Sequence, residues 1–274
     1  MATVSALIRY PVKGCAGTPV PSAVVTASGL AHDRTFMFVT PAGLFRSQRT
    51  TPLLAAISAE VTGDKLVLAA PKAAELVAEL AIDLRADGPR RPVRVHKWDG
   101  EAVEQDPDAG AWASELLGEP VRLVRQPPDH HRAVDDRHGP VSFADSTALH
   151  GTALSSLDDL NTRILARGAE PVPMARFRPN LVFAGWPAPY TEDTVRELTV
   201  GTTELAWVKP DIRCKVTMID QETGGRAGPE PLRTLAGYRR EDGGVSFGIK
   251  LAVRRPGTLA VGDEVRVHTW AGTH

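Results

Sequence analysis

The strongest constraint on this chain is how its apolar residues alternate in short runs, each stopped by a turn former. "ISAEVTGDKLVLAAP" sets two alternating arms on either side of Gly63-Asp64, the pattern of a tight hairpin. "RPVRVHKWDGEAVEQ" repeats it around Asp99-Gly100. Before them come "VSALIRYPV", "SAVVTAS" and "RTFMFVTPAGLFRS", the last broken at "PAG". Further runs, "PNLVFAG", "RELTVGTTELAWV", "KVTMID", "VSFGIKLAVRRPG" and "DEVRVHTW", fill the last third. A period of two over so many short segments predicts sheets or barrels, not a doubly wound parallel sheet.

Two segments carry the helical period instead. "PDAGAWASELLGE" spaces Ala111, Trp112, Leu116 and Leu117 for a helix that stops at Gly118. "SSLDDLNTRILARG" puts Leu157, Leu160, Ile164 and Leu165 on one face, with Gly168 after it. "PKAAELVAELAIDL" fits helix or strand: its Ala, Glu and Leu favour helix, whereas Leu76, Leu80, Ile82 and Leu84 also suit strands. Between the two helices lies "RQPPDHHRAVDDRHGP", longer than an ordinary connection and expected to be a lid, a binding loop or locally disordered.

Charge and cysteine content remove several classes of function. With 32 basic and 33 acidic side chains in 274 residues, the net charge of −1 gives no electrostatic case for nucleic acid or an anionic membrane as partner. Two cysteines cannot form a disulfide framework, a four-cysteine zinc site or an all-cysteine iron–sulfur cluster. The start, "MATVSALIRYPVKG", meets Arg9 and Pro11 too soon for a signal peptide, and no run approaches the ~20 apolar residues of a membrane span. A cytoplasmic protein without membrane contact is expected. The chain holds no P-loop, no G-x-S-x-G and no H-E-x-x-H. "ETGGRAG" reads as a hairpin turn. His130, His131 and His138 with Asp129, Asp135 and Asp136 could face a metal, but a solvated loop is the favoured reading.

What remains is a set of cations and a thiol. Cys214 sits in "VKPDIRCKV" among Lys209, Arg213 and Lys215, a setting that would stabilise a thiolate. "RFRPN" is expected to be extended, with Arg176 and Arg178 on one face suited to a phosphate or carboxylate, or else forming surface ion pairs. Lys13 in "YPVKG" and Arg34 in "HDRTF" could join them around an anionic ligand, and neither Lys13 nor Arg178 reads as core.

Taken in order, "YPVKGCAG", "GLAHDRTFMFV", "FADSTALHGTALSSLDDLN", "RFRPNLVF", "DIRCKVTMIDQETG" and "RPGTLAVGDEV" resemble the MOSC-domain proteins that carry an N-terminal β-barrel companion. The mitochondrial amidoxime-reducing components and their bacterial counterparts belong to that group. The resemblance implies a mainly β fold with some α: a smaller strand-rich N-terminal domain over residues 1–118 and a MOSC β-barrel domain over 119–274. It also implies molybdenum bound through molybdopterin, with Cys214 as the metal ligand and catalytic thiolate. The family's cofactor contacts fall here on Lys13, Gly14, Arg34, Ser146, Thr147, Arg178 and Asn180, with Asp145 and Arg213 as neighbours. Gly14 stands where the reducing components commonly have serine. The implied activity is removal of oxygen from N-hydroxylated compounds such as amidoximes and hydroxylamines, with electrons from a separate donor protein and His32 or the 129–138 loop as possible proton donors. The alternative is a carrier of molybdenum cofactor or of sulfur, without turnover.

Overall fold

The structure is a computed structural model that describes every residue except Ala74, Val134, Asp136, Thr273 and His274. It is mainly β. A nine-stranded sheet runs in the order Val265–Trp270, Val195–Val200, Thr203–Arg213, Gly244–Arg255, Leu149–Ala153, Leu181–Ala184, Thr3–Arg9 and Thr18–Pro19, with Arg240–Glu241 pairing on Gly244–Arg255. A five-stranded sheet joins Arg90–Val95, Trp98–Glu104, Arg122–Arg125, Phe36–Val39 and Val12–Lys13. Two three-stranded sheets complete the set. Only two pairings between these strands are parallel, Leu149–Ala153 with Leu181–Ala184 and Val12–Lys13 with Phe36–Val39.

The N-terminal segment does not stay apart from the rest. Thr3–Arg9 pairs with Leu181–Ala184, and Ser22–Thr26 pairs with Gly257–Ala260. Leu7, Leu181, Phe183, Ile249 and Leu251 therefore share one core, while Phe36, Phe38, Leu54, Leu66, Leu68 and Leu116 form another. Each such fully buried side chain contributes about 1.5–3 kcal/mol of transfer free energy.

Several sequence readings change. The hairpin at Gly63-Asp64 forms, pairing Ser58–Thr62 with Lys65–Ala69. The turn expected at Asp99-Gly100 lies instead at His96-Lys97, because His96 takes a φ of 55° and Val95 pairs with Trp98. Gly100 serves packing: a Cβ there would sit 2.2 Å from the Trp98 ring. "RFRPN" is not extended. Met174–Phe177 form a 3₁₀ turn and Arg178 is left-handed at φ 54°, so Arg176 and Arg178 diverge. "KVTMID" likewise opens with a 3₁₀ turn, Lys215–Met218. In the ambiguous stretch, Pro71–Ala73 form a 3₁₀ turn and Leu80–Asp83 a strand.

Helix α1 (Pro107–Leu117) starts at Asp106, whose carboxylate accepts from Asp108 N, and stops at left-handed Gly118. Helix α2 (Leu154–Ala166) buries Leu160 and Ile164 against Phe177 and Phe247, but Leu165 is 57% exposed, so the apolar stripe is narrower than the spacing implied. No side chain of its own caps α2. A distant carboxylate does: buried Glu192 accepts from Ala153 N at 3.1 Å and from Ser156 Oγ at 2.8 Å.

That cap makes stability pH-dependent. Burial pushes the Glu192 carboxyl up to about 7, against the hydrogen bond from Ser156, from an ordinary 4.5. The folded state therefore holds a proton that the unfolded chain releases between those values. The contribution is complete below pH 4.5 and is lost as pH rises through 7. Between pH 5 and 8, urea unfolding should show wild type losing about 2–3 kcal/mol more than Glu192→Gln. Parallel pH profiles for the two proteins would rule this out.

Among the described residues, no helix is long and apolar enough to cross a membrane.

Candidate functional site

Strand Thr203–Arg213 ends where Cys214 enters the 3₁₀ turn Lys215–Met218. The turn is fixed through its backbone: Thr217 N and Oγ1 both donate to the Cys214 carbonyl, at 3.0 and 2.9 Å. Arg176, which diverged from Arg178, donates to the Thr217 carbonyl at 3.3 Å. It therefore steadies the turn from behind and lines no part of the cavity in front of it. The Cys214 thiol is partly exposed and lies 3.4 Å from Arg49 Nη2.

In front of Cys214 opens a cavity of about 540 Å³, within the usual range for cofactor sites. Lys13, Arg34, Arg49, Arg178, Lys209, Arg213 and Lys250 line it against three carboxylates, Asp145, Asp211 and Asp242. That excess suits an anionic ligand.

Three groups of contacts organise the wall. At one end Arg34 donates to Asp33 at 2.5 Å and to Asn180 Oδ1 at 2.9 Å, while Arg178 donates to the Cys15 carbonyl at 2.7 Å and to Gln221 Oε1 at 2.9 Å. Both guanidiniums stack on Tyr10, 4.3 and 4.4 Å from its ring centroid. Burial pulls Arg178 below its ordinary pKa; for Arg34, burial is outweighed by Asp33 and Tyr10, and the net shift is upward.

At the second point Lys13, only 7% exposed, pairs with Asp145, which also meets His96 at 3.0 Å. Burial lowers the Lys13 pKa despite Asp145. Desolvation would raise the Asp145 carboxyl, but Lys13 and His96 hold it well below the usual carboxylate range. Arg132, from the long loop, is itself buried and donates to the carbonyls of Ser142, Ala144 and Asp145, so this part of the loop builds the cavity wall.

At the third point buried Asp211 pairs with Arg213, with Lys250 at 3.1 Å and with His150 at 3.3 Å. Its carboxyl is lowered to about 2, since Arg213 and Lys250 outweigh burial. Burial lowers His150 to about 3 in spite of Asp211, which leaves a neutral imidazole. Arg213 also donates to the Phe177 carbonyl at 2.7 Å, while its Nε is buried without a partner among the described residues.

The structure thus brings Lys13, Gly14, Arg34, Asp145, Ser146, Thr147, Arg178, Asn180, Arg213 and Cys214 to one cavity. Lys13 and Arg178 are more enclosed than their sequence context implied, because each is held by protein contacts of its own. His32 lies outside the lining, and so do His130 and His138. His130 meets the Val141 carbonyl, Asp129 pairs with Arg90 and Asp135 with His138, while Asp136 lies outside the described residues. Sequence reading missed Gln48, Arg49, His150, Asp211 and Lys250. Only Asp211 carried a local signal, its place two residues from Arg213 in "DIRC".

Residues 1–120 match the MOSC N-terminal beta barrel domain, and residues 138–266 match the MOSC domain. The chain is 33% identical over 283 residues to mitochondrial amidoxime-reducing component 1 of Mus musculus, covering 96% of this chain and 81% of that protein. It belongs to the MOSC family. The Homo sapiens amidoxime-reducing component 1 is 34% identical, over 96% of this chain and 82% of its own. Molybdenum cofactor sulfurase of Oryza sativa is 30% identical over 90% of this MOSC chain, which corresponds to 32% of the longer plant protein. Among solved structures, the YUAD protein of Bacillus subtilis is similar at 11% identity and a TM-score of 0.42, covering 98% of this chain and 96% of that one.

Proposed function

We propose that this MOSC protein is a molybdenum-cofactor-dependent reductase of N-hydroxylated compounds, amidoximes and hydroxylamines among them. The observation that carries the reading is the convergence of one accessible thiol and a cation-rich cavity formed by segments from both ends of the chain. The donor chemistry fits. Cys214 is the soft ligand that molybdenum takes, whereas Cys15 is buried in an apolar core, its thiol pushed up to about 12 by burial. Lys13, Arg34, Arg178 and Arg213 would hold the phosphate and pterin. Thr147 would add a polar contact, while buried Asn180, whose amide bonds Arg34, His150 N, Ile8 and Asp33, would position Arg34.

A molybdenum held there supplies two-electron chemistry at an N–O bond. The net reaction breaks that bond in an amidoxime, takes two electrons from a separate redox protein and two protons, and yields an amidine and water. The chain's own part is to bind and orient the ligand through these side chains.

The test is metal and pterin analysis of the purified protein, followed by turnover of benzamidoxime with a chemically reduced viologen dye. Stoichiometric molybdenum with turnover is expected. Molybdenum that exchanges freely and supports no turnover would instead make the protein a carrier.

A further inference from the structure

A second cavity, of about 210 Å³, opens beside Cys214 and shares Gln48, Arg49 and Cys214 with the first. Its remaining walls are Lys215, Met218, Ile219 and Arg226. We propose that this cavity takes the substrate, and that the preferred class is a compact N-hydroxylated compound with an apolar body and an anionic substituent, a carboxylate above all. The proposal rests on the reductase reading and adds the substrate class.

The size comes first. At about 210 Å³ the cavity is smaller than the ~300 Å³ at which drug-sized sites begin, so it admits a single ring and its substituents. The walls set the chemistry. Met218 and Ile219 offer an apolar surface, and the thioether adapts to differing shapes. Among the described residues no carboxylate lines the cavity, and neither Lys215 nor Arg226 has an ion-pair partner. The nearby acids are engaged elsewhere: Glu222 pairs with Lys72, and Asp220 accepts from Glu222 N and Thr223 N. The wall is also anchored. Ile219 and Arg226 bridge across the "ETGGR" turn, and Gly224 lies so close to Leu53 that a Cβ would be 2.6 Å from its Cα. Cys214 lines both cavities, so a ligand in the smaller one would lie next to whatever Cys214 holds in the larger.

Two measurements separate this proposal from the reading beneath it. In loaded enzyme, the ratio of kcat/KM for 4-carboxybenzamidoxime to that for benzamidoxime should exceed one, fall about fivefold in Arg226→Gln and recover in Arg226→Lys. In protein produced without cofactor, 4-carboxybenzamide should slow alkylation of Cys214 by iodoacetamide. Its methyl ester should protect less, and Arg226→Gln should remove the protection. Should that variant fail to fold, Lys215→Gln should lower the same ratio. Turnover of both amidoximes without preference, or protection that survives Arg226→Gln, overturns the proposal and leaves the reductase reading standing. Protection as expected with neither amidoxime reduced supports the anion-selective cavity and overturns the reductase reading.

Discussion

Cys214→Ala should yield a folded protein that no longer reduces benzamidoxime, with loss by more than about 100-fold, since removing even a group that merely supports a metal ligand costs 10–100-fold. The fold should survive. Cys214 is partly exposed, and its neighbours are held through its backbone carbonyl, by Thr217 N and Oγ1, which alanine keeps. A surface change of this kind shifts stability by no more than about 0.5 kcal/mol. Cys15→Ser is the control. It places a hydroxyl in the apolar core with Phe36, Leu54 and Leu66, so it should lower stability while molybdenum stays bound. Normal turnover by well-folded Cys214→Ala, or metal lost from the Cys15 variant alone, would move the metal ligand elsewhere.

Arg178→Ala should produce protein depleted of cofactor. A charge that meets a buried anion is costly to delete, about 2–5 kcal/mol by analogy with desolvated charge pairs at interfaces. The melting temperature of the loaded protein should accordingly fall to that of the cofactor-free form. The cofactor-free form should weaken too. The guanidinium is the donor to the Cys15 carbonyl and to Gln221, and losing it strands a buried acceptor at about 1–3 kcal/mol. Arg178→Lys should restore little, because one ammonium cannot reproduce the planar fork that reaches both acceptors and stacks on Tyr10. Thermal melts with and without cofactor, together with molybdenum analysis, check both parts. Full metal content in the alanine variant would place the anion beyond the reach of Arg178.

The two effects also differ in kind. The first removes a chemical function and, of the protein's contacts, only that of the thiol with Arg49. The second removes a contact made by residues more than 160 positions apart, Arg178 and Cys15. It follows that the second should alter the cofactor-free protein far more than the first.

Alternation in "ISAEVTGDKLVLAAP", the Pro107 start and Gly118 stop of α1, and the poverty in cysteine were enough to specify a strand-rich chain with few helices and one cation-flanked thiol. These are short-range properties, set by side-chain period, φ preference and residue type within a few positions. Where two local rules competed, the sequence did not decide. Asp99-Gly100 looked like a turn, but the Trp98 ring needed the space that Gly100 leaves. "RFRPN" looked extended, yet Arg178 turned left-handed and faced Cys15 and Gln221. The cavity, the Glu192 cap on α2, the Arg49–Cys214 contact and the second cavity came only from tertiary structure. Each joins segments far apart in the chain, 165 positions for Arg49 and Cys214, and 39 for Ala153 and Glu192. No local pattern records such a meeting; it is decided by which strands pair and which side chains are then enclosed together.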